Sequence, residues 1–211
     1  MGVRDGSAAR PRDEADPRPV GLGRLGARPG GPRTRRRRPA GRLSEASAAV
    51  SRVEDRLAEL GLTVPAVAAP VAAYVPAVRN GDLVWTSGQL PFVDGALPAT
   101  GKVGAAVDPD AAADLARTCA LNAIAAIKAE IGDLDAIERI VKVVGFVASA
   151  PDFTGQPAVI NGASNLIGEV FGDAGRHARS AVGVAVLPMD APVEVEVVAQ
   201  VRVNGAAVAG G

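Results

Sequence analysis

This 211-residue chain predicts an α+β fold, a mixed sheet with two helices packed on one face. Three observations carry that reading. The periodic segments run strand, strand, helix, strand, helix, strand, strand, which is too few helices to cover both faces of a sheet. The closing stretch from Arg179 to Val203 alternates valine with small or polar residues, as half-buried strands do. The sheet face without helices needs a cover of its own, and a second copy of the chain would supply it, so a homo-oligomer is expected.

Residues 1–43 are mostly Gly, Pro and Arg, include the run Arg35-Arg36-Arg37-Arg38, and have almost nothing to bury, so disorder is expected there. Their twelve arginines face only Asp5, Asp13, Glu14 and Asp16, a net +8. The whole chain is neutral, so the remainder carries −8 and is a poor electrostatic partner for nucleic acid. Two readings of the tail stand side by side. It is a basic arm for nucleic acid or an acidic surface, or it is read-through ahead of a later start near Val50, where the first helical pattern begins. The second is preferred. The stretch lacks the apolar segment of a secretory signal, and its acidic residues and scarce Ser disfavour a transit peptide.

Residues 44–72 hold a short helix and a connector, 73–205 the main domain, and 206–211 a flexible end. The helix spans Ser51 to Leu60, with Val53, Leu57 and Leu60 at helical spacing, Ser51 as cap and Gly61 as stop. Pro65 to Pro70 is an Ala-rich connector. Tyr74–Arg79 and Asp82–Ser87 flank Asn80-Gly81, a strong hairpin signal in which both turn residues take positive φ. A Gly-rich loop leads to Asp108, which caps a long helix to Ile131 with Pro109 in its first turn. Its stripe is Ala112, Leu115, Cys119, Ala123 and Ile127. Ile137 to Ala148 is rich in β-branched residues and predicts a buried central strand. Pro157 to Phe171 is the second helix, with the stripe Ile160, Ala163, Ile167 and Val170.

The last two strands are expected to form an antiparallel hairpin through Leu187–Pro192. Pairing Val186 with Val193 sets Ser180, Val182, Val184 and Val186 on the same, helix-covered face as Val193, Val195, Val197, Val201 and Val203. The other face then bears Arg179, Ala181, Gly183 and Ala185 beside Glu194 and Glu196: a cation in a hollow of small side chains. At roughly 3.4 Å per residue, Arg179 and Glu194 lie on the order of 20 Å apart on that face. A site that uses both must lie between subunits.

One Cys and one His exclude a disulfide framework and a metal cluster of nitrogen and sulfur ligands within one chain, and they argue against Ser-His or Cys-His hydrolase chemistry. No metal or other cofactor is expected. No run of 18 apolar residues occurs, and Cys119 reads as helix packing in a reduced, cytoplasmic protein. Arg179 is the sharpest candidate, with two readings open on pattern alone: a bidentate clamp for a small carboxylate, or a structural salt bridge. Glu194 reads either as a general acid–base that orients water, or as one of two glutamates on an exposed strand face. Tyr74, Ser87 and Asn161 are polar residues able to hydrogen-bond a ligand, and His177 is expected to face solvent.

These residues carry a resemblance. Tyr74 stands thirteen positions before Ser87, which lies in Thr86-Ser87-Gly88-Gln89-Leu90-Pro91. Asn161 follows, then Ala178-Arg179-Ser180, Leu187-Pro188 and Val193-Glu194-Val195-Glu196. From about Val64 to Val203 the chain resembles the Rid family, also called YjgF. The resemblance implies a chorismate-mutase-like fold and a homotrimer with sites in the clefts between subunits. It also implies hydrolysis of reactive 2-imino acids or their enamine tautomers to 2-keto acids and ammonia, as a 2-iminobutanoate/2-iminopropanoate deaminase does, without a cofactor. By matching position Arg179 would hold the substrate carboxylate, Tyr74, Ser87 and Asn161 would line the pocket, and Glu194 would assist the attacking water. Two departures mark a divergent subgroup: Ala181 where the deaminase type often has a cysteine, and Val75-Pro76 where a serine usually follows the tyrosine. The alternative is a trimeric small-carboxylate binding protein without turnover. A ribonuclease, an activity also attached to the family, fits poorly with an acidic domain and a single His.

Overall fold

The structure is a computed structural model and describes residues 51–67 and 73–202. The tail at 1–43, the end of the connector at 68–72 and the segment 206–211 lie outside the described residues. The first helix, α1, spans Arg52–Glu59, and Ser51 caps it by accepting from the Val53 amide at 3.3 Å. Asp135 adds a second acceptor for the same amide, 3.1 Å away, and so pins α1 to the rest of the molecule. Two short strands follow, β1 (Ala77–Asn80) and β2 (Leu83–Thr86), then α2 (Pro109–Ile131), β3 (Ile137–Ala148), α3 (Gln156–Phe171), β4 (Ala178–Val184) and β5 (Val193–Val201). Among the described residues no helix is long and apolar enough to cross a membrane.

Both predicted helical stripes are buried. Ala112, Leu115, Cys119, Ala123 and Ile127 on α2, and Ile160, Ala163, Ile167 and Val170 on α3, all lie in one core with the inner faces of β3 and β5. Asp108 caps α2 by accepting from the Asp110 amide at 2.8 Å. The β1–β2 hairpin is also present, but its register differs by one residue from expectation. Asn80 pairs with Leu83, so the turn residues are Gly81 and Asp82, and of these only Gly81 has positive φ. A turn that needs the left-handed region only at its first central residue is satisfied by one glycine.

The five strands run β1-β2-β5-β3-β4. This order corrects the expected closing hairpin. β4 does not pair with β5: it pairs parallel with β3, Arg179 opposite Val143, while β5 inserts between β2 and β3 and pairs antiparallel with both. Parallel pairing needs a crossover connection, and α3 supplies it between β3 and β4. The residues 185–192 then carry the chain past the end of β3. Eight residues reach farther than the two strand spacings, about 10 Å, that must be crossed. Alternation within β4 and β5 fixes each strand's two faces but not which strand lies beside it.

The correction inverts β4 relative to β5. Val193, Val195, Val197, Ala199 and Val201 point into the core, as expected, but from β4 it is Arg179 and Ala181 that face the helices. Val182 lies on the open face instead, 45% exposed. That face also bears Val78, Trp85, Val144, Phe146, Glu194 and Glu196, so the glutamates do occupy the helix-free side but Arg179 does not.

The helix layer sits tightly because α2 and α3 touch at a glycine. A Cβ at Gly162 would fall 1.9 Å from the Ala113 carbonyl oxygen of α2, a backbone atom that cannot yield. Gly168, on the exposed side of the same helix, has nothing within 4 Å. Gly162→Ala is therefore expected to cost roughly 3 kcal/mol of stability, as overpacking against backbone does. Gly168→Ala should stabilise by about 0.5–1 kcal/mol through helix propensity alone. Urea unfolding of the two variants checks this, and equal effects from both would contradict the close approach.

Candidate functional site

Arg179 is the second residue of β4, the edge strand, and its side chain lies against α3. Its Nη1 donates to Asn161 Oδ1 at 2.8 Å and to Ser164 Oγ at 3.2 Å. Asn161 and Ser164 are three apart on α3, so they fall on one helix face and present two acceptors side by side. Arg179 forms no salt bridge among the described residues, so the structural ion-pair reading finds no partner there. Both acceptors fall on Nη1. The Nε–H and Nη2–H edge has no partner among the described residues, and that edge is the one that grips a carboxylate with two parallel hydrogen bonds. Neutral partners leave the full positive charge available to an anion. Ala181, two residues on, packs its methyl against the core on the same side, so the position that departs from the deaminase pattern lies next to the guanidinium.

His177 corrects the expectation of a solvent-facing side chain. It is partly buried, with Nε2 3.0 Å from Ser164 Oγ and Nδ1 2.6 Å from the Gly175 carbonyl oxygen. Ser164 was not among the residues singled out from the sequence, where a lone Ser on a helix carries no signal. Its place beside Arg179 depends on the crossover.

The other candidates sit elsewhere. Glu194 projects from β5 onto the open face, opposite Phe146, and folds over Gly88. A Cβ at Gly88 would lie 1.6 Å from Glu194 Oε1, so the glycine leaves the room the carboxylate occupies. Burial raises the Glu194 carboxyl above its usual range, and the nearby Glu196 charge adds to the rise. Ser87 adjoins Gly88, and its Oγ donates to the Val75 carbonyl at 2.7 Å. Contact at position 75 is thus made by main chain, which the departure to valine leaves intact. Tyr74, next in sequence to Val75, is half exposed. Cys119 is fully buried with its thiol 3.7 Å from the Val193 carbonyl. Burial, and then the charge of Glu194, push the thiol well above its ordinary value, in keeping with a packing role.

Two clusters therefore exist in one chain. Arg179 and Asn161 occupy the β4 edge on the helix side, while Ser87 and Glu194 lie where β2 leads into Gly88 beside β5, with Tyr74 next in sequence to the Val75 that Ser87 contacts. Arg179 and Glu194 are three residues apart along β3 and two strand spacings apart across it, on the order of 14 Å between Cα atoms, with side chains on opposite faces. The expected distance of about 20 Å on a shared face is corrected by the parallel pairing. The separation within one chain remains. A cavity of about 490 Å³ between α2 and the loop of residues 89–95, lined by Leu90, Phe92, Val93, Leu121 and Ala125 among others, contains none of the five candidates.

Comparison with known proteins decides the family. The family described as "YjgF/chorismate_mutase-like, putative endoribonuclease" matches residues 54–201. The chain belongs to the YjgF (Rid) family. Protein TCP17 of Trypanosoma cruzi is 46% identical over 155 residues, covering 73% of this chain and 97% of that protein. A RutC family protein of Haemophilus influenzae is 36% identical over 135 residues, 62% of this chain and 88% of its own length. The crystal structure of Atu1372 from Agrobacterium tumefaciens, of unknown function, shares 48% identity. It covers 72% of this chain and 93% of that one with a TM-score of 0.68. Membership accounts for the α+β mixed sheet and its helix layer, and the match spans both side-chain clusters of this YjgF protein.

The raised Glu194 carboxyl has a consequence for stability. Below the ordinary glutamate range the group is protonated in both the folded and unfolded chain, and its burial costs nothing through charge. As pH rises past the folded value the carboxylate must be held half-buried beside Glu196, and stability is lost. Glu194→Gln should therefore raise Tm at pH 8, with the difference shrinking toward zero on acidification. Thermal melts across pH 4–8 check it, and a difference that grows in acid would reverse the assignment.

Proposed function

We propose that this protein hydrolyses small reactive 2-imino acids, or their enamine tautomers, to 2-keto acids and ammonia at clefts shared between subunits of a homotrimer. The observation that carries the reading is Arg179: a guanidinium fixed by neutral acceptors through Nη1, with its carboxylate-gripping edge unpartnered among the described residues. An imine carbon is already electrophilic, so the site has only to orient it, supply water and move protons. In that reading Arg179 takes the substrate carboxylate and the Asn161 amide borders it. Water adds to the imine carbon, giving a tetrahedral carbinolamine, and the C–N bond then breaks to release ammonia and leave the keto acid. Glu194 accepts the proton from water and returns it to the departing nitrogen, a role suited to a carboxyl whose affinity for protons is raised. Tyr74 and Ser87 line the wall on the Glu194 side.

The shared site follows from the separation of the clusters. Arg179 lies at one edge of the sheet and Tyr74 and Ser87 near the other, three strand spacings or about 14 Å away. A head-to-tail contact between copies, closed into a ring, is the arrangement that brings one chain's cation to another chain's carboxylate. The open sheet face, with Trp85 and Val78 half exposed at one side and Val182 at the other, supports a buried assembly interface. The alternative, carboxylate binding without turnover, uses the same guanidinium and is separated from the first by activity alone. Departure at Ala181 is what keeps it in play.

With an imine generated in situ by an amino-acid oxidase, the protein should accelerate ammonia release. Arg179→Ala should lower kcat/KM by about 10²-fold, the loss of two charge-assisted hydrogen bonds. Arg179→Lys, which keeps charge but not the fork, should fall between. Binding of keto acid without any acceleration would instead favour the non-catalytic reading. For the assembly, sedimentation should give a trimer, and Val182→Glu on the open face should yield folded monomers without activity. A parent chain that sediments as a monomer at tens of micromolar would sink the shared site.

A further inference from the structure

We infer that His177 and Ser164 are positioning residues that set the plane of the Arg179 guanidinium for carboxylate recognition. The inference rests on the proposed role of Arg179 and adds two residues to it. The direction of each hydrogen bond is fixed by chemistry. The Gly175 carbonyl can only accept, so the hydrogen at 2.6 Å belongs to His177 Nδ1. In the neutral ring Nε2 then carries a lone pair and accepts the Ser164 hydroxyl hydrogen at 3.0 Å. With its hydrogen committed, Ser164 Oγ offers its lone pairs to Arg179 Nη1 at 3.2 Å. The relay runs one way, from guanidinium to hydroxyl to imidazole to carbonyl, and each bond polarises the next.

Its anchor is rigid. Gly175 is buried where a side chain would begin only 2.5 Å from the Ile167 carbonyl of α3, so the carbonyl that orients His177 is packed against the helix that carries Ser164 and Asn161. The circuit thus closes on itself: α3 supplies both acceptors for Arg179, the 3-10 turn after α3 supplies the carbonyl, and His177 joins that turn to the first residues of β4. Arginine side chains are long and lose much rotamer freedom when fixed. A guanidinium already fixed in plane by two acceptors loses less of it when a ligand binds. Asn161 alone would leave the group free to pivot about a single hydrogen bond; Ser164, held by His177, removes that freedom.

The test uses the full chain and pyruvate as the probe, a small 2-keto acid of the proposed product class. Because the chain has a single histidine, its ring nitrogens can be read directly by ¹⁵N NMR. At pH 8 the ring should be the neutral Nδ1–H tautomer, and Ser164→Ala should shift the Nε2 resonance. By calorimetry, Ser164→Ala and His177→Asn should each weaken pyruvate binding about tenfold. The double variant should be no weaker than either single one, since both break the same relay. His177→Gln, whose carbonyl reaches the Nε2 position, should restore most of the affinity, whereas His177→Asn keeps only the bond to Gly175. A purely structural role predicts no such split between Asn and Gln. An Nε2–H tautomer in the parent, additive losses, or parent-like affinity in Ser164→Ala while Arg179→Ala abolishes binding would each overturn the positioning role and leave the functional reading standing. Unchanged pyruvate affinity in Arg179→Ala would overturn the functional reading itself, and this inference with it.

Discussion

The parallel pairing of β4 on β3 is the constraint from which the rest of the arrangement follows. It requires α3 as a crossover, and α3 then lies against β4 with Asn161 and Ser164 facing Arg179. It makes β4 an edge strand, so the guanidinium stands at the margin of the sheet. It also leaves the inner edge of β3 free, and β5 fills that place antiparallel, with its valines in the core and its glutamates on the open face. An antiparallel β4–β5 hairpin would have put the cation and the acids on one surface. The observed topology puts them on two.

Electrostatically the two faces behave differently. Arg179 is held by an amide oxygen and a hydroxyl, so its charge is oriented without being neutralised. Glu194 is half-buried over a glycine beside a second carboxylate, with its proton affinity raised by desolvation and like charge. Each is an incomplete site: a cation with no anionic partner among the described residues, and a carboxyl whose surroundings favour a proton. Perturbed or unpaired ionisable groups of this kind are what functional sites are made from. Separation on opposite faces prevents the two from cancelling each other within one chain.

Much of the fold was legible before the structure. Helix ends at Asp108, Gly132 and Ser51 follow from capping chemistry that acts over a few residues, and the stripes of α2 and α3 follow from helical period. The span of β3 was readable as a run of β-branched residues. Gly162 carries no signal in the sequence, because its meaning lies in the Ala113 carbonyl of another helix. His177 and Ser164 were invisible for the same reason. One looked like a loop histidine and the other like any helical serine, until the crossover set them 3.0 Å apart.

By itself the sequence determined which segments are helix or strand, which residue types carry charge among small neighbours, and the order of motifs that marks the YjgF family. These depend on local stereochemistry and on residue identity, both of which travel with the chain. Only the tertiary structure decided which strand lies beside β4, which face Arg179 occupies and what holds it. Strand alternation is blind to the choice between parallel and antiparallel neighbours, and that choice is made by the packing of α3 across β3 and β4.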